Sequence, residues 1–217
     1  MKNYDGLLIT FEGGDGSGKS THSELLKNYL SNKGISFFAT REPGGTDFSE
    51  AVRALSKDMR FADKSNISEL LLFEAARADI VEKRILPALK EGKVVIMDRF
   101  YDSTTAYQSF GRGLDRKMVE ELNLFAAQGL VPDLTFYMRI APNTAFERKG
   151  GVEKDDVMET AGDIFHRNVM RGFDTIVREN RNRFVVIDST KPVAEVFAKI
   201  SSIVESKLNE KSRERQC

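Results

Sequence analysis

Apolar residues along the chain fall into short continuous runs that alternate with longer segments of helical periodicity. The strand-like runs cover residues 7–11, 36–40, 93–98, 134–140 and 183–188. The segments with helical spacing cover residues 19–33, 67–91, 116–128, 159–180 and 193–207. Continuous apolar runs are typical of strands buried on both faces, and strands separated by helices are joined by right-handed crossovers. The pattern therefore predicts an α/β sandwich, in which helices cover both faces of a parallel sheet.

The length and composition of the chain favour one domain. A chain of 217 residues is long enough for a full-sized α/β core, and no linker, repeat or low-complexity segment divides it. We therefore predict a single domain over residues 1–217. The 33 basic residues are balanced by 33 acidic ones, which favours neither a general nucleic-acid binder nor a membrane-surface binder.

Cysteine usage and apolar segment length bear on the cellular setting. Cys217 is the only cysteine, so neither an intrachain disulfide nor a zinc cluster of thiolates can form. The apolar run near the N-terminus is too short for a secretion signal. No segment reaches the roughly 18 apolar residues that cross a membrane. These features favour a reducing, cytoplasmic setting.

A glycine-rich segment, FEGGDGSGKST (residues 11–21), lies between the first predicted strand and the first predicted helix. It contains Gly-x4-Gly-Lys-Ser, the pattern of a phosphate-binding P-loop. Glycines let consecutive N–H groups point at one place, and the start of the helix adds the positive end of its dipole. Lys19 can reach the terminal phosphates of a nucleoside triphosphate, and the Ser20 hydroxyl can bind Mg²⁺. The residues expected to contact ATP are Gly13, Gly14, Asp15, Gly16, Ser17, Gly18, Lys19, Ser20 and Thr21.

Charged residues follow several predicted strands, at the sheet edge where α/β proteins bind ligands. Asp98 and Arg99 end the buried run VVIM. An acid there can hold Mg²⁺-bound water, and the arginine can bind a phosphate. Arg41 follows the second strand, before a Pro-Gly-Gly turn. The alternative at each position is an ordinary solvated charge.

Two helical segments carry groups that suit recognition of a nucleotide. The segment DSTTAYQ is predicted to begin a helix beside Arg99, and its polar side chains are Ser103, Thr104, Tyr107 and Gln108. Phe73 and Arg77 lie four residues apart on another predicted helix, so they share one face. A ring can stack on a base while a guanidinium bonds to its edge. The alternative is that Phe73 belongs to the apolar core with the leucines before it.

Five segments occur in the order and spacing of bacterial thymidylate kinases, and the chain resembles that family from about residue 7 to residue 205. The segments are FEGGDGSGKST, TREPGGT, LLFEAAR, DRFYDSTTAYQ and PDLTFYM. Residues 96–108 match the family signature and are more specific than the P-loop. The resemblance implies transfer of the γ-phosphoryl group of ATP to dTMP, giving dTDP, with Mg²⁺. It also implies a P-loop NTPase-like five-stranded parallel sheet, a lid at about residues 148–160, and a homodimer.

The resemblance assigns roles to individual residues of this sequence. The P-loop would hold the ATP phosphates, and the segment DSTKP (residues 188–192) would lie by the adenine. Asp15 would lie near the 3′-hydroxyl of dTMP. Phe73 would stack on thymine, and Arg77 would bond to its carbonyl edge. The residues assigned to the dTMP phosphate, the sugar and the rest of the base are Arg41, Arg99, Thr104, Tyr107 and Gln108.

The chain departs from the family pattern where a transition-state cation is expected. Members carry an arginine in the P-loop or in the lid, whereas this chain has Gly16 in the loop and Val157 at the common lid position. The charge of the transferring phosphoryl group requires a cation. We expect Arg148 to supply it, because it ends a predicted helix (residues 143–149) before a glycine pair that can act as a hinge. The other basic candidates are Lys149, Lys154 and Arg167.

Two other functions remain open from the residues. One is a kinase for another nucleoside monophosphate or for a deoxynucleoside, against which the segment DRFYDSTTAYQ argues. The other is a nucleotide-switched binding protein or ATPase, which needs a positioned attacking water and would leave the second cationic site without a use. For a dTMP kinase, the expected catalytic residues are Lys19, Arg99 and Arg148, and the expected metal-binding residues are Ser20 and Asp98.

Overall fold

The structure, a computed structural model, describes residues 4–149 and 161–214. Five strands form one sheet in the order β2-β3-β1-β4-β5, and all four pairings are parallel. The strands are β1 (Leu7–Glu12), β2 (Phe37–Arg41), β3 (Val94–Asp98), β4 (Leu134–Arg139) and β5 (Phe184–Asp188). Each bound lies within one residue of the sequence prediction, so the predicted strands and their parallel arrangement are confirmed.

Helices surround the sheet. They are α1 (Lys19–Asn32), α2 (Asp47–Lys57), α3 (Asn66–Ile80), α4 (Leu86–Lys90), α5 (Tyr101–Thr104), α6 (Arg116–Ala126), α7 (Pro142–Lys149), α8 (Asp163–Glu179) and α9 (Val193–Glu214). A 3₁₀ turn at Met59–Phe61 follows α2, and π-helical stretches at Val81–Ile85 and Thr105–Gly111 follow α3 and α5. Within the described ranges, no helix combines the length and apolarity needed to cross a membrane.

Apolar clusters on the two faces of the sheet make the fold a three-layer sandwich, as predicted. Alternate residues of a strand point to opposite faces, and in β1 they separate cleanly. Leu7, Ile9 and Phe11 pack with α1 and α9, whereas Leu8 packs with the segment from α3 to α4. A third cluster packs α8 against the helical segment after β3, and it includes Tyr107.

Two features of the helices differ from the prediction. The sequence pattern did not indicate α2, which buries only Ser49, Val52 and Ser56. The predicted helix 67–91 is interrupted by a π-helical turn directly before Pro87, near the start of α4. Proline has no N–H and clashes with the preceding turn of a regular helix, so the wider turn before it lets the chain continue.

Candidate active site

The carboxyl ends of β1, β2 and β3 open into a cleft of about 390 Å³. P-loop residues line one side of it, and residues that follow β2 and β3 line the other. The basic residues in its wall are Lys19, Arg41, Arg53, Arg99 and Arg148, and the acidic ones are Asp15, Glu42 and Asp98. The excess of positive charge suits ligands that carry phosphate groups.

The P-loop turns from β1 into α1, as its sequence predicted. Gly18 has a φ of +88° and directly precedes Lys19, the first residue of α1. The Lys19 Nζ donates a hydrogen bond to the carbonyl oxygen of Gly14 at 2.7 Å, so the ammonium lies against the loop. Burial lowers the pKa of Lys19 to about 8, and the nearby charge of Arg99 acts in the same direction. Phosphate oxygens would favour the charged form of this lysine.

Gly16 can carry no side chain in this fold. Its φ is +73°, and a Cβ atom placed there would lie 2.3 Å from the carbonyl oxygen of Ala145 in α7. The left-handed backbone disfavours larger residues, and the contact with a backbone atom excludes them unless α7 moves. The P-loop as folded therefore has no room for an arginine at this position, and we expect the cation to come from another position.

Ser20 and Asp98 meet at the mouth of the P-loop. The Ser20 hydroxyl donates to a carboxylate oxygen of Asp98 at 2.5 Å, although the two residues belong to α1 and β3. A hydroxyl and a carboxylate beside a phosphate site match the oxygen ligands that Mg²⁺ prefers. The described residues hold no cluster of three or more His, Cys, Asp or Glu side chains suited to a metal. A Mg²⁺ ion at this point would therefore need phosphate or water oxygens as further ligands.

Arg99 has an unusual backbone, and its half-buried guanidinium has several partners. Its φ is +71°, in the left-handed region that residues other than glycine rarely adopt. The guanidinium donates to the carbonyl oxygen of Gly13 at 2.9 Å and to Asp15 at 2.6 Å. It also lies over the ring of Tyr107, 5.1 Å from the centroid. The structure thus brings together three residues that the sequence assigned to dTMP.

Arg41 and Arg53 lie across the cleft from the P-loop. Arg41 is paired with Asp98 in the register of β2 and β3, and its guanidinium donates to both carboxylate oxygens of Glu50, at 3.1 and 2.8 Å. Arg53 is on α2 and donates to the carbonyl oxygen of Pro43 at 3.3 Å. Sequence analysis missed Arg53 because it missed α2. Its position twelve residues after Arg41 offered no recognisable motif.

Arg77 lies in a buried polar network. Its guanidinium is bonded to Glu42 at 3.0 Å, to both carboxylate oxygens of Glu74 at 2.8 and 2.7 Å, and to Asn123 at 2.8 Å. A further bond at 2.7 Å goes to the hydroxyl of Thr104. Burial raises the pKa of Glu42 to about 7, although Arg77 opposes the shift. Direct contact between Arg77 and a base would require one of these bonds to be exchanged.

The other residues assigned to the base lie near this network. Phe73 is half-buried, one helical turn before Arg77, and belongs to none of the three apolar clusters formed by the described residues. Whether the ring stacks on a base or packs in the core stays a prediction. Gln108 is buried, and its amide donates to Glu69 at 3.1 Å. The helix predicted to begin within DSTTAYQ is present as α5 and its π-helical extension.

Arg148 lines the cleft but contacts the segment after β5. Its guanidinium donates to the carbonyl oxygens of Ser189 and, at 3.1 Å, of Thr190, within the segment assigned to adenine. Arg167 is exposed on α8 and lies 3.8 Å from Asp163. The candidate Lys154, the side chain of the candidate Lys149, the lid position Val157 and nearly all of the predicted lid lie outside the described residues.

The fold and the cleft define a P-loop phosphotransferase with a second cationic site facing the nucleotide loop. The thymidylate kinase family model matches residues 11–200. The chain is 44% identical to a thymidylate kinase of Chlorobaculum tepidum over 92% of its own length and 97% of that protein. It is 42% identical to one of Dehalococcoides mccartyi over 91% of its length and 95% of that protein. The chain belongs to the thymidylate kinase family.

A solved structure extends the similarity from sequence to fold. The crystal structure of thymidylate kinase from Ehrlichia chaffeensis superposes with a TM-score of 0.77 at 34% identity. The match covers 92% of this chain and 98% of that one. The resemblance found in the sequence and the expectation of a P-loop kinase fold are both confirmed.

Proposed function

We propose that the chain transfers the γ-phosphoryl group of ATP to dTMP, giving dTDP and ADP, in the pathway that supplies dTTP. The observation that carries the proposal is that the P-loop lysine and the cationic side chains after β2 and β3 line the same cleft. A phosphate oxygen of dTMP would attack the γ-phosphorus in line, and the bond to the β-phosphate oxygen of ATP would break. Because dTMP itself is the nucleophile, no attacking water has to be positioned.

The P-loop side of the cleft is proposed to bind ATP. Backbone N–H groups of the loop and Lys19 would balance the charge of its phosphates. Ser20 and Asp98 would hold Mg²⁺, which lowers the repulsion between phosphate groups when it is bound. Their close approach, across 78 residues of sequence, supports this assignment.

The opposite side is proposed to bind dTMP. Arg41 and Arg99 would bind its phosphate. Asp15 would accept a hydrogen bond from the 3′-hydroxyl in addition to the one that it accepts from Arg99. Phe73 would stack on thymine. The base and sugar would be bounded by Arg77, Thr104, Tyr107 and Gln108. The buried network around Arg77 supports a rigid base site, because its acceptors hold the guanidinium in one orientation.

A substrate panel tests the proposed function directly. ADP release is measured with ATP, Mg²⁺ and one of dTMP, dUMP, dCMP, AMP or GMP, or with no acceptor. We expect rapid release with dTMP and slow release with the purine monophosphates. Preference for another monophosphate would indicate a different kinase on the same fold, and equal release without acceptor would indicate an ATPase.

Replacing Phe73 by alanine is expected to raise the KM for dTMP and leave the melting temperature nearly unchanged. Loss of stacking on a base costs about 1–3 kcal/mol. Leu70→Ala is the matched control on α3, because Leu70 is 1% exposed and belongs to the core. It should lower the melting temperature without a selective effect on dTMP. If Phe73→Ala behaves like Leu70→Ala, the ring is a core residue and the stacking assignment is wrong.

Replacing Arg148 by alanine is expected to lower kcat by about 10²-fold with little change in dTMP affinity, as for other transition-state cations in phosphoryl transfer. Steady-state kinetics with ATP varied is the measurement, and Lys117→Ala, which removes an exposed cation on α6 outside the cleft, is the control. A higher KM for ATP at unchanged kcat would instead assign Arg148 to the adenine side, through Ser189 and Thr190. Val157→Arg in the Arg148→Ala background is expected to restore part of the lost rate.

A homodimer is proposed from the apolar residues exposed on neighbouring helices. α3 packs against both α2 and α6, and these helices expose Phe48, Leu55, Ile67, Leu71, Leu124 and Phe125. Phe125 is 83% exposed, which is unusual for a large apolar side chain outside an interface. Phe125→Asp is therefore expected to shift the sedimentation coefficient from dimer to monomer. Ile164→Asp, at a 73% exposed position on α8, should leave it unchanged. A monomeric unsubstituted protein would contradict the proposal.

We also propose that the chain forms one kinase domain with a lid at about residues 148–160. Arg148 would enter this lid from the end of α7. Both proposed substrates are anions that do not cross membranes unaided. The proposed location is therefore the cytoplasm, where such substrates are available to an enzyme.

A further inference from the structure

Glu12, the last residue of β1, is completely buried beside the cleft but does not line it. One carboxylate oxygen accepts the backbone N–H of Phe100 at 2.8 Å. The other accepts the hydroxyl of Ser103. Both contacts are made to residues 99–103, the segment that follows β3 (the 99–103 segment). A buried carboxylate is costly unless hydrogen bonds satisfy it. The two bonds that satisfy Glu12 both come from the 99–103 segment, so they also hold that segment against β1.

The backbone of Arg99 lies between two anchors on β1. Its own N–H donates to the carbonyl oxygen of Phe11 at 2.9 Å, and the N–H of the next residue donates to Glu12. Between these bonds Arg99 has its φ of +71°. A non-glycine residue keeps a left-handed backbone only when its surroundings hold it there. This backbone directs the guanidinium toward the carbonyl oxygen of Gly13 and toward Asp15.

Ser103 links Glu12 to the side chain of Arg99 as well. The Ser103 hydroxyl donates to Glu12 and accepts a bond from the Arg99 guanidinium at 3.1 Å. Glu12 therefore reaches Arg99 by two routes, one through the backbone of Phe100 and one through Ser103. Burial raises the pKa of Glu12, whereas these hydrogen bonds and the charge of Arg99 favour the carboxylate.

We infer that Glu12 is a positioning residue for Arg99, and that its carboxylate holds the 99–103 segment so that the guanidinium points at the phosphate of dTMP. The inference rests on the proposed function, in which Arg99 binds that phosphate. Glu12 touches neither substrate in this scheme. Its loss should therefore affect the phosphate of dTMP far more than the thymidine part.

Calorimetric titration of dTMP and of thymidine into Glu12 variants tests the inference. Glu12→Ala should lower the affinity for dTMP by about tenfold or more, the order expected when a charge-assisted hydrogen bond is lost. The affinity for thymidine should fall much less. Glu12→Gln should retain most of the dTMP affinity. Its amide oxygen can still accept from Phe100, and its amide nitrogen can donate to the Ser103 oxygen.

Thr10→Val is the matched control. Thr10 is buried on the same face of β1, and its hydroxyl donates to Thr135 at 2.8 Å. The substitution removes a buried hydrogen bond from the same strand and should leave the ratio of the two affinities unchanged. Equal losses of affinity for dTMP and for thymidine in Glu12→Ala would overturn the inference. The same selective loss in Thr10→Val would overturn it too.

A crystal structure of the variant separates this inference from the proposed function. In Glu12→Ala we expect Arg99 to leave the left-handed region or its guanidinium to leave Asp15, and an unchanged Arg99 would overturn the inference. If Glu12→Ala does not fold, Glu12→Asp takes its place, because the shorter side chain cannot reach both partners. If the unsubstituted protein neither binds nor phosphorylates dTMP, the proposed function fails, and the geometry of Arg99 still decides the role of Glu12.

Discussion

Lys19→Ala is expected to lower kcat by about 10²- to 10³-fold, the effect of removing one preorganised charge contact to a transition state. Lys19 is the first residue of α1, and its ammonium lies against the Gly14 carbonyl oxygen in a buried position. Its proposed partners are the phosphates of ATP. The affinity for dTMP should therefore remain nearly unchanged, because the proposed dTMP site is on the other side of the cleft.

Two measurements check this result. Steady-state ADP release reports kcat, and calorimetric titration of dTMP reports the second site. Lys27→Ala is the matched control, since Lys27 lies two turns further along α1 and pairs with Glu24 at the surface. It should leave both quantities unchanged. Normal turnover in Lys19→Ala would contradict the assignment of the P-loop to ATP.

Arg99→Ala is expected to lower the affinity for dTMP by about 10²-fold and the affinity for thymidine far less. Truncating one partner of a buried charge pair costs about 2–5 kcal/mol. The proposed partner of the lost guanidinium is the phosphate of dTMP, which thymidine lacks. Arg99 also bonds to Gly13 and Asp15, so kcat should fall as the P-loop loses this support. Calorimetric titration of both ligands gives the comparison.

The control for Arg99 is an arginine that also forms ion pairs with carboxylates but lies outside the cleft. Arg116 begins α6 and forms ion pairs with Glu120 and Glu179. Arg116→Ala should change the affinities for dTMP and thymidine equally or not at all. If Arg99→Ala reduces both affinities by the same factor, Arg99 supports the fold of the site and does not bind the phosphate.

The edge strands β2 and β5 are only partly buried, whereas the central strands β1, β3 and β4 were predictable because they are buried on both faces. Such strands appear in the sequence as continuous apolar runs, and helical segments between them require parallel pairing. Helix α2 was not predictable in this way because it exposes Phe48 and Leu55 and buries mainly small polar residues. Its place is secured by a contact that only the fold creates, the bond from the Ser49 hydroxyl to the Ala76 carbonyl oxygen at 2.9 Å.

The candidate site was predictable in part. The P-loop is continuous in sequence, so its glycines, Lys19 and Ser20 could be assigned from spacing alone. Three partners of Arg77 come from other parts of the chain, and no local pattern indicated them; they are Glu42, Thr104 and Asn123. The contact of Arg148 with the segment after β5 likewise joins residues about forty positions apart.

The amino-acid sequence by itself determined the α/β class, the position of the nucleotide loop, and the family to which the chain belongs. These properties depend on the order of residues along the chain, through apolar periodicity and short motifs. The tertiary structure alone decided how the side chains are directed. Gly16 must remain glycine because α7 approaches it, and Arg99 points into the cleft because β1 holds its backbone in a left-handed conformation. Both follow from contacts between residues distant in sequence, and such contacts exist only once the chain has folded.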